Sequence, residues 1–234
     1  MYKQIIEHIE NILTWDNDES FLLDALVLSC AKLFQKSYIE LNENSLVTIS
    51  PLLRQIQENM IVMLGIIEEV YTLEDFVTKK HNPKSIMNLI KEKHKTKVKE
   101  FELMNQYLMG LKDVLNKFSH TNFEGIMTLF TERFQVHESI EFNQIMMKFF
   151  ITFLEAPFII MVNEIYKLDF KTPSIMNLKK ELKNIGTLKY VTRHFPESIK
   201  NFINESEILR KYYQNTIKDL RSMADEIVKF KTDV

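Results

Sequence analysis

Helix-breaking residues are scarce in this chain, and their positions constrain the fold more than any other feature. Only four Gly and five Pro occur in 234 residues. Four of the prolines, Pro51, Pro83, Pro173 and Pro196, stand at or near the start of a long apolar-periodic segment. Proline has its φ pre-set for a first helical turn and lacks an N–H that would be unpaired there anyway. The expected fold is therefore all-α: one domain over residues 1–234, an irregular antiparallel bundle of about seven to nine helices.

The periodicity sets the expected elements. A first helix covers 2–14, with Ile5, Ile6, Ile9, Ile12 and Leu13 at helical spacing. Asn17 and Asp18 offer N-caps for a helix over 19–41, whose expected inner stripe includes Phe21, Leu22, Ala25, Leu26, Ser29, Leu33 and Tyr38. Asn42–Ser45 reads as a turn. Ser50 is the expected N-cap of a helix over 51–80, and Asn82 of one from Pro83 to His120. Further helices are expected over 122–134, over 138–168 with a kink at Pro157, over 173–185 after Thr172, and over 197–231. The run Leu46–Ile49 is β-like but too short and isolated to stand as a strand. Residues 20–168 form the expected core, and the helices over 173–231 either pack on it or serve in dimerisation.

Ser85-Ile86-Met87-Asn88-Leu89 recurs as Ser174-Ile175-Met176-Asn177-Leu178, each shortly after a proline. The flanking helices do not align at the same offset, so the echo reads as a recurrent helix start and not as a repeat.

Composition narrows the function classes. Net charge is −2, which argues against nucleic-acid binding driven by overall charge. The 17 Phe and 12 Met suit a core of packed helices. The single cysteine, Cys30, permits no disulfide within the chain and reads as a small buried hydrophobe. The apolar stretch 145–166 contains Lys148, Glu155, Pro157, Asn163 and Glu164, so it reads as a buried core helix and not a membrane span. A cytoplasmic location with no membrane association is the expectation. The six histidines form no metal-ligand pair on a helix face, and no Gly-rich phosphate loop is present, so no cofactor or metal is expected.

Three constellations could carry chemistry. Arg54 and Glu58 are four apart on one helix face; they form either a structural ion pair or a guanidinium oriented toward a phosphate or carboxylate. In Asn116-Lys117-Phe118-Ser119-His120, the histidine has the ordinary pKa for acid–base work, with Asn116 one turn before it. The same residues could simply end a helix. Lys91 to Lys99 alternates lysines around a helix, giving either a solvated rod or a patch for RNA phosphates.

A helix with Leu52-Leu53-Arg54 and Glu58, followed by a long helix ending in Tyr107 and then Phe118-Ser119-His120, resembles an uncharacterised bacterial group of helical proteins. That group is itself similar to the HEPN superfamily (higher eukaryotes and prokaryotes nucleotide-binding). The resemblance covers about residues 20–165. It implies a HEPN-like helical core, frequent dimerisation, and RNA or nucleotide binding of a defence or toxin type. If the chain is an enzyme, it implies a metal-independent ribonuclease. His120 takes the histidine position and Asn116 the polar residue after the family's arginine. That arginine falls at Leu115, with Lys112 and Lys117 nearby and Arg54 able to substitute from another helix. His120, Arg54, Asn116 and Lys117 are then the candidate catalytic residues, and Glu58, Ser119 and Tyr107 the candidate substrate contacts. The alternative is a non-enzymatic helical module that recruits a protein partner. The apolar stripe from Ile199 to Ile227 would overhang the core if its helix were unbroken, and a homodimer would cover it; a break near Asn204–Ser206 would remove that need.

Overall fold

The structure is a computed structural model, and it describes residues 1–12, 17–43, 46–78, 82–94, 137–173, 197–212, 214, 215 and 218. Of these residues, 85% are helical and none lies in a strand, so the fold is all-α. The helices are α1 (Tyr2–Ile12), α2 (Asp18–Asn42), α3 (Leu46–Ile67), α4 (Leu73–Val77), α5 (Pro83–Lys93), α6 (His137–Tyr166) and α7 (Glu197–Glu205).

Two helix starts follow the expected chemistry. Asn17 caps α2 by accepting from the Ser20 N–H at 2.8 Å. The Ser20 hydroxyl in turn accepts from the Asn17 N–H, which completes a reciprocal box. Asn82 caps α5 by accepting from Lys84 N–H at 3.0 Å, with Pro83 in the first helical position.

α3 corrects the third expectation. It begins at Leu46, so Pro51 lies inside the helix and Ser50 is a buried helical residue, not an N-cap. Pro51 is the sixth residue of α3, and lacking an N–H it removes one bond from the ladder of the second turn. The extra turn buries Ile49 beside Leu53 and Ile56. That burial overrides the β preference of Leu46–Ile49.

α3 also ends at Ile67, not near Lys80. The Glu69 N–H bonds the Ile66 carbonyl and the Val70 N–H bonds the Gly65 carbonyl, both at 2.9 Å. This is a Schellman closure with Glu69 at φ 52° in the position that glycine usually fills. Gly65 is needed for a different reason. A Cβ there would lie 2.7 Å from Ile86 Cγ2 and 2.9 Å from Tyr71 Cβ, so the missing side chain sets how closely α5 approaches α3.

α5 ends at Lys93, with His94 as its C-cap, and does not continue to His120. Lysine and glutamate at 91–93 would support a longer helix, but Lys93 and His94 turn to the end of α3. The Lys93 ammonium donates to the Glu68 carbonyl and lies 3.6 Å from the Glu69 carboxylate, and the His94 ring bonds the Glu68 carboxylate. The Lys93 ammonium there complements the negative end of the α3 dipole.

The core gathers Ile5 and Ile9 of α1, Phe34 of α2, Ile56 of α3, Ile90 of α5 and Phe158 of α6. α2 and α3 are antiparallel: Ser29 pairs with Asn59 and Glu40 with Thr48 across them. The inner face of α2 is rotated from the expected stripe. Leu22, Leu26, Cys30, Phe34, Ser37 and Leu41 are buried, whereas Phe21 and Ala25 are exposed. α6 runs through Pro157 as one helix of 30 residues. Its stretch Met147–Tyr166 is long and apolar enough to cross a membrane, but 61% of that window is buried inside the bundle.

The C-terminal helix is not the unbroken rod of 197–231. α7 stops at Glu205, and helix resumes at 207 after Ser206. The Ser206 carbonyl accepts from Arg210 N–H and its hydroxyl from Leu209 N–H, so this residue caps the next segment. The overhang argument for a dimer loses its premise. The helices expected over 122–134 and, beyond Pro173, to 185 lie outside the described residues.

Candidate functional site

Arg54 and Glu58 meet as their spacing requires. Arg54 Nε donates to Glu58 Oε1 at 3.2 Å within α3. Leu53 and Ile56 on either side are fully buried, so Arg54 stands at the border between core and solvent. Its side chain is 35% exposed and that of Glu58 41%, so the pair is half in water. An i,i+4 pair in that setting contributes roughly 0.3–0.5 kcal/mol, so its orientation matters more than its strength. Tyr107, Asn116, Lys117, Ser119 and His120 lie outside the described residues, as do Lys95–Lys99 of the basic run. Among the described residues, the two members of the predicted site brought together are Arg54 and Glu58.

Cys30 is buried. Its thiol donates to the Ile56 carbonyl at 3.9 Å. Desolvation by burial pushes the thiol up to about 12, against a smaller lowering from Asn59. A thiol held neutral in this way is a core group, not a nucleophile at ordinary pH. Among the described residues, no three His, Cys, Asp or Glu side chains converge in a way that would hold a metal ion.

The most unusual polar cluster was not among the predicted residues. Glu155 of α6 is only 5% exposed, among Phe-rich turns. The Tyr2 hydroxyl of α1 donates to its Oε1, and the Tyr38 hydroxyl of α2 donates to its Oε2 at 2.7 Å. One carboxylate thus ties three helices together. Tyr2 also stacks on Phe34, with centroids 5.4 Å apart, and Phe34 packs on Phe158 at 5.2 Å. A second tie repeats the logic with the partners exchanged: Tyr166 of α6 donates to Asp24 of α2 at 2.6 Å. The two pairs, 24 with 166 and 38 with 155, fix α2 and α6 antiparallel. His8 of α1 meets the Tyr166 ring edge-on at 5.8 Å.

Electrostatics hold all three phenols neutral. Burial is the main cause raising Tyr2, Tyr38 and Tyr166, and the carboxylate each one bonds adds to it. The signal for this cluster was present in the sequence as a glutamate inside an apolar run. A buried carboxylate must find donors. Its donors, however, lie 153 and 117 residues away in the chain, and no spacing rule points to them.

The end of α6 is closed by Asn163. Its amide donates to the Phe170 carbonyl at 2.8 Å, and its carbonyl accepts from Phe170 N–H at 2.9 Å. Lys167 takes the left-handed conformation at φ 54° so that the Leu168 N–H can reach the Asn163 carbonyl at 3.1 Å.

The C-terminal segment offers a different kind of surface. Leu209 and Tyr212 are partly buried against the core, while Phe202 is 62% exposed and Ile208 80%. The exposed neighbours include Glu205 and Glu207. No protein-family model matches this chain, and no curated protein or solved structure matches it either.

Proposed function

We propose that this chain is a non-enzymatic helical interaction module whose C-terminal segment binds a second copy of itself. The observation that carries the reading is the pairing of anchored and outward apolar side chains in that segment. Leu209 and Tyr212 hold it to the bundle, and Phe202 and Ile208 are left in water. Exposed aromatic and aliphatic side chains of this kind favour association, and a two-fold dimer is the commonest arrangement that satisfies both copies. The polar clusters of the interior support the same reading, because Glu155 and Asp24 bond tyrosines that tie helices.

Light scattering at micromolar concentration tests it. The expected mass is twice the 27.9 kDa of one subunit; a single-subunit mass at every concentration contradicts the proposal. The ribonuclease reading has its own assay. Purified protein incubated with total RNA and chelator should leave the RNA intact. Cleavage that disappears in His120→Ala would replace the module reading with the catalytic one.

A further inference from the structure

α1 lies over the seam between α2 and α6, and few interactions hold it there. Its inward side chains are Tyr2, Ile5, Ile6 and Ile9; Ile5 and Ile9 are fully buried, Tyr2 and Ile6 partly. Lys3, Gln4, Glu7, Glu10, Asn11 and Ile12 are exposed. α3, by contrast, buries Ile49, Leu53, Ile56, Met60, Ile61 and Met63. Among the described residues, the hydrogen bond that ties α1 to another helix is the one from Tyr2 to Glu155. Tyr2 sits at one end of α1, on Phe34 of α2 and Glu155 of α6. His8, about 9 Å further along, meets Tyr166 of α6, which is itself bonded to Asp24 of α2. α1 therefore runs antiparallel to α2 and parallel to α6, resting on both.

A helix of 11 residues is marginal in water by itself. Off the bundle, α1 regains backbone and side-chain freedom, and that gain opposes the burial of two isoleucines and one tie. The helices beneath keep their own contacts without it: Phe34 packs on Phe158, Tyr166 bonds Asp24, Asn59 bonds Ser29, and Tyr38 still reaches Glu155. We propose that α1 is a releasable strap: it opens as one unit, from the Tyr2 anchor to Ile12, while the bundle beneath stays folded. Opening bares the Phe34 ring and leaves the Glu155 carboxylate with Tyr38 as its donor. The seam then becomes an apolar strip with one carboxylate at its end. Its complement is what covers it when closed: a helix with a hydrogen-bond donor and, three and seven positions on, aliphatic side chains.

Native-state hydrogen exchange of the full chain in low urea, read amide by amide, tests the strap. The amides of Ile5 to Ile12 should share one opening constant, with protection at least ~100-fold below that of the α3 core amides. Tyr2→Phe removes the anchor and should lower α1 protection at least ~10-fold, which corresponds to about 1.4 kcal/mol. Gly65→Ala, or Asn59→Ala where the first variant does not fold, weakens α3 packing away from the strap. Core protection should then fall while that of α1 stays within ~2-fold of the unaltered protein. Unchanged circular dichroism shows that each variant is folded. Protection of α1 equal to that of α3, or falling in step with it in the α3 variants, means that α1 opens only with the whole bundle and overturns the strap. Rates that rise steadily toward Met1 mean fraying and overturn the single unit. Unchanged α1 protection in Tyr2→Phe overturns the Glu155 anchor.

Discussion

Glu155 and Glu58 are both carboxylates on long helices, and they work under opposite conditions. Glu155 is 5% exposed and accepts from two phenols on two other helices. Glu58 is 41% exposed and pairs with Arg54 on its own helix. The Glu155 carboxylate is buried, so a lost phenol donor leaves it short of a partner. At the surface, water replaces whatever is removed. The same functional group is therefore structural in one place and nearly dispensable for stability in the other. Residue chemistry alone drew attention to Arg54 and Glu58; burial gives Glu155 the larger role.

The contrast can be broken most severely at Glu155 itself. Glu155→Ala strands the partly buried hydroxyls of Tyr2 and Tyr38 and opens a cavity at a buried position, and should cost about 2–4 kcal/mol in urea denaturation. A loss below about 1 kcal/mol would put Glu155 on a par with Glu58.

Alkaline pH probes the same ties without a mutation. Tyr2, Tyr38 and Tyr166 have folded values raised above the ordinary phenol value of 10.0. A raised group contributes stability that is fully present below the unfolded value and is lost as pH climbs toward the folded one. Stability should hold to near pH 10 and then fall, by about 1.4 kcal/mol per pH unit for each phenol kept neutral. Absorbance of tyrosinate should show these three titrating only as the protein unfolds. Three early-titrating phenols in folded protein would contradict the buried ties.

Gly65→Ala tests the packing that the ties accompany. The added methyl meets Ile86 and Tyr71 at distances no Cβ tolerates. Overpacking of about 1–3 kcal/mol should outweigh the gain of up to about 1 kcal/mol in helix propensity, so thermal unfolding shifts downward. The smallest effect belongs to the surface pair: Arg54→Ala should change stability by no more than about 0.5 kcal/mol.

Sequence reasoning reached the helical class, the caps at Asn17 and Asn82, and the burial of Cys30, because each rests on local chemistry. It missed what depends on partners distant in the chain. Pro51 looked like a start, yet burial of Ile49 draws the helix one turn further back. The lysine-rich run after Ile90 reads as a longer helix, yet α5 closes at Lys93, where the Lys93 and His94 side chains reach Glu68 at the end of α3. The inner stripe of α2 was off by about one residue because Phe21 and Ala25 fit the periodicity as well as Cys30 and Phe34 do. Of the candidate site, the Arg54–Glu58 pair was legible from its spacing. The Glu155 cluster was not, since an apolar run with one glutamate does not say which tyrosines will reach it.

The measurement that tests the account most directly combines mass with fold in one variant, Phe202→Ser with Ile208→Ser. If the interior ties hold the bundle and the outward C-terminal side chains hold the partner, this variant keeps its helical circular dichroism. Its light-scattering mass falls to that of one subunit. A mass of two subunits in the folded variant, or loss of helical structure with the substitutions, would contradict that division of roles.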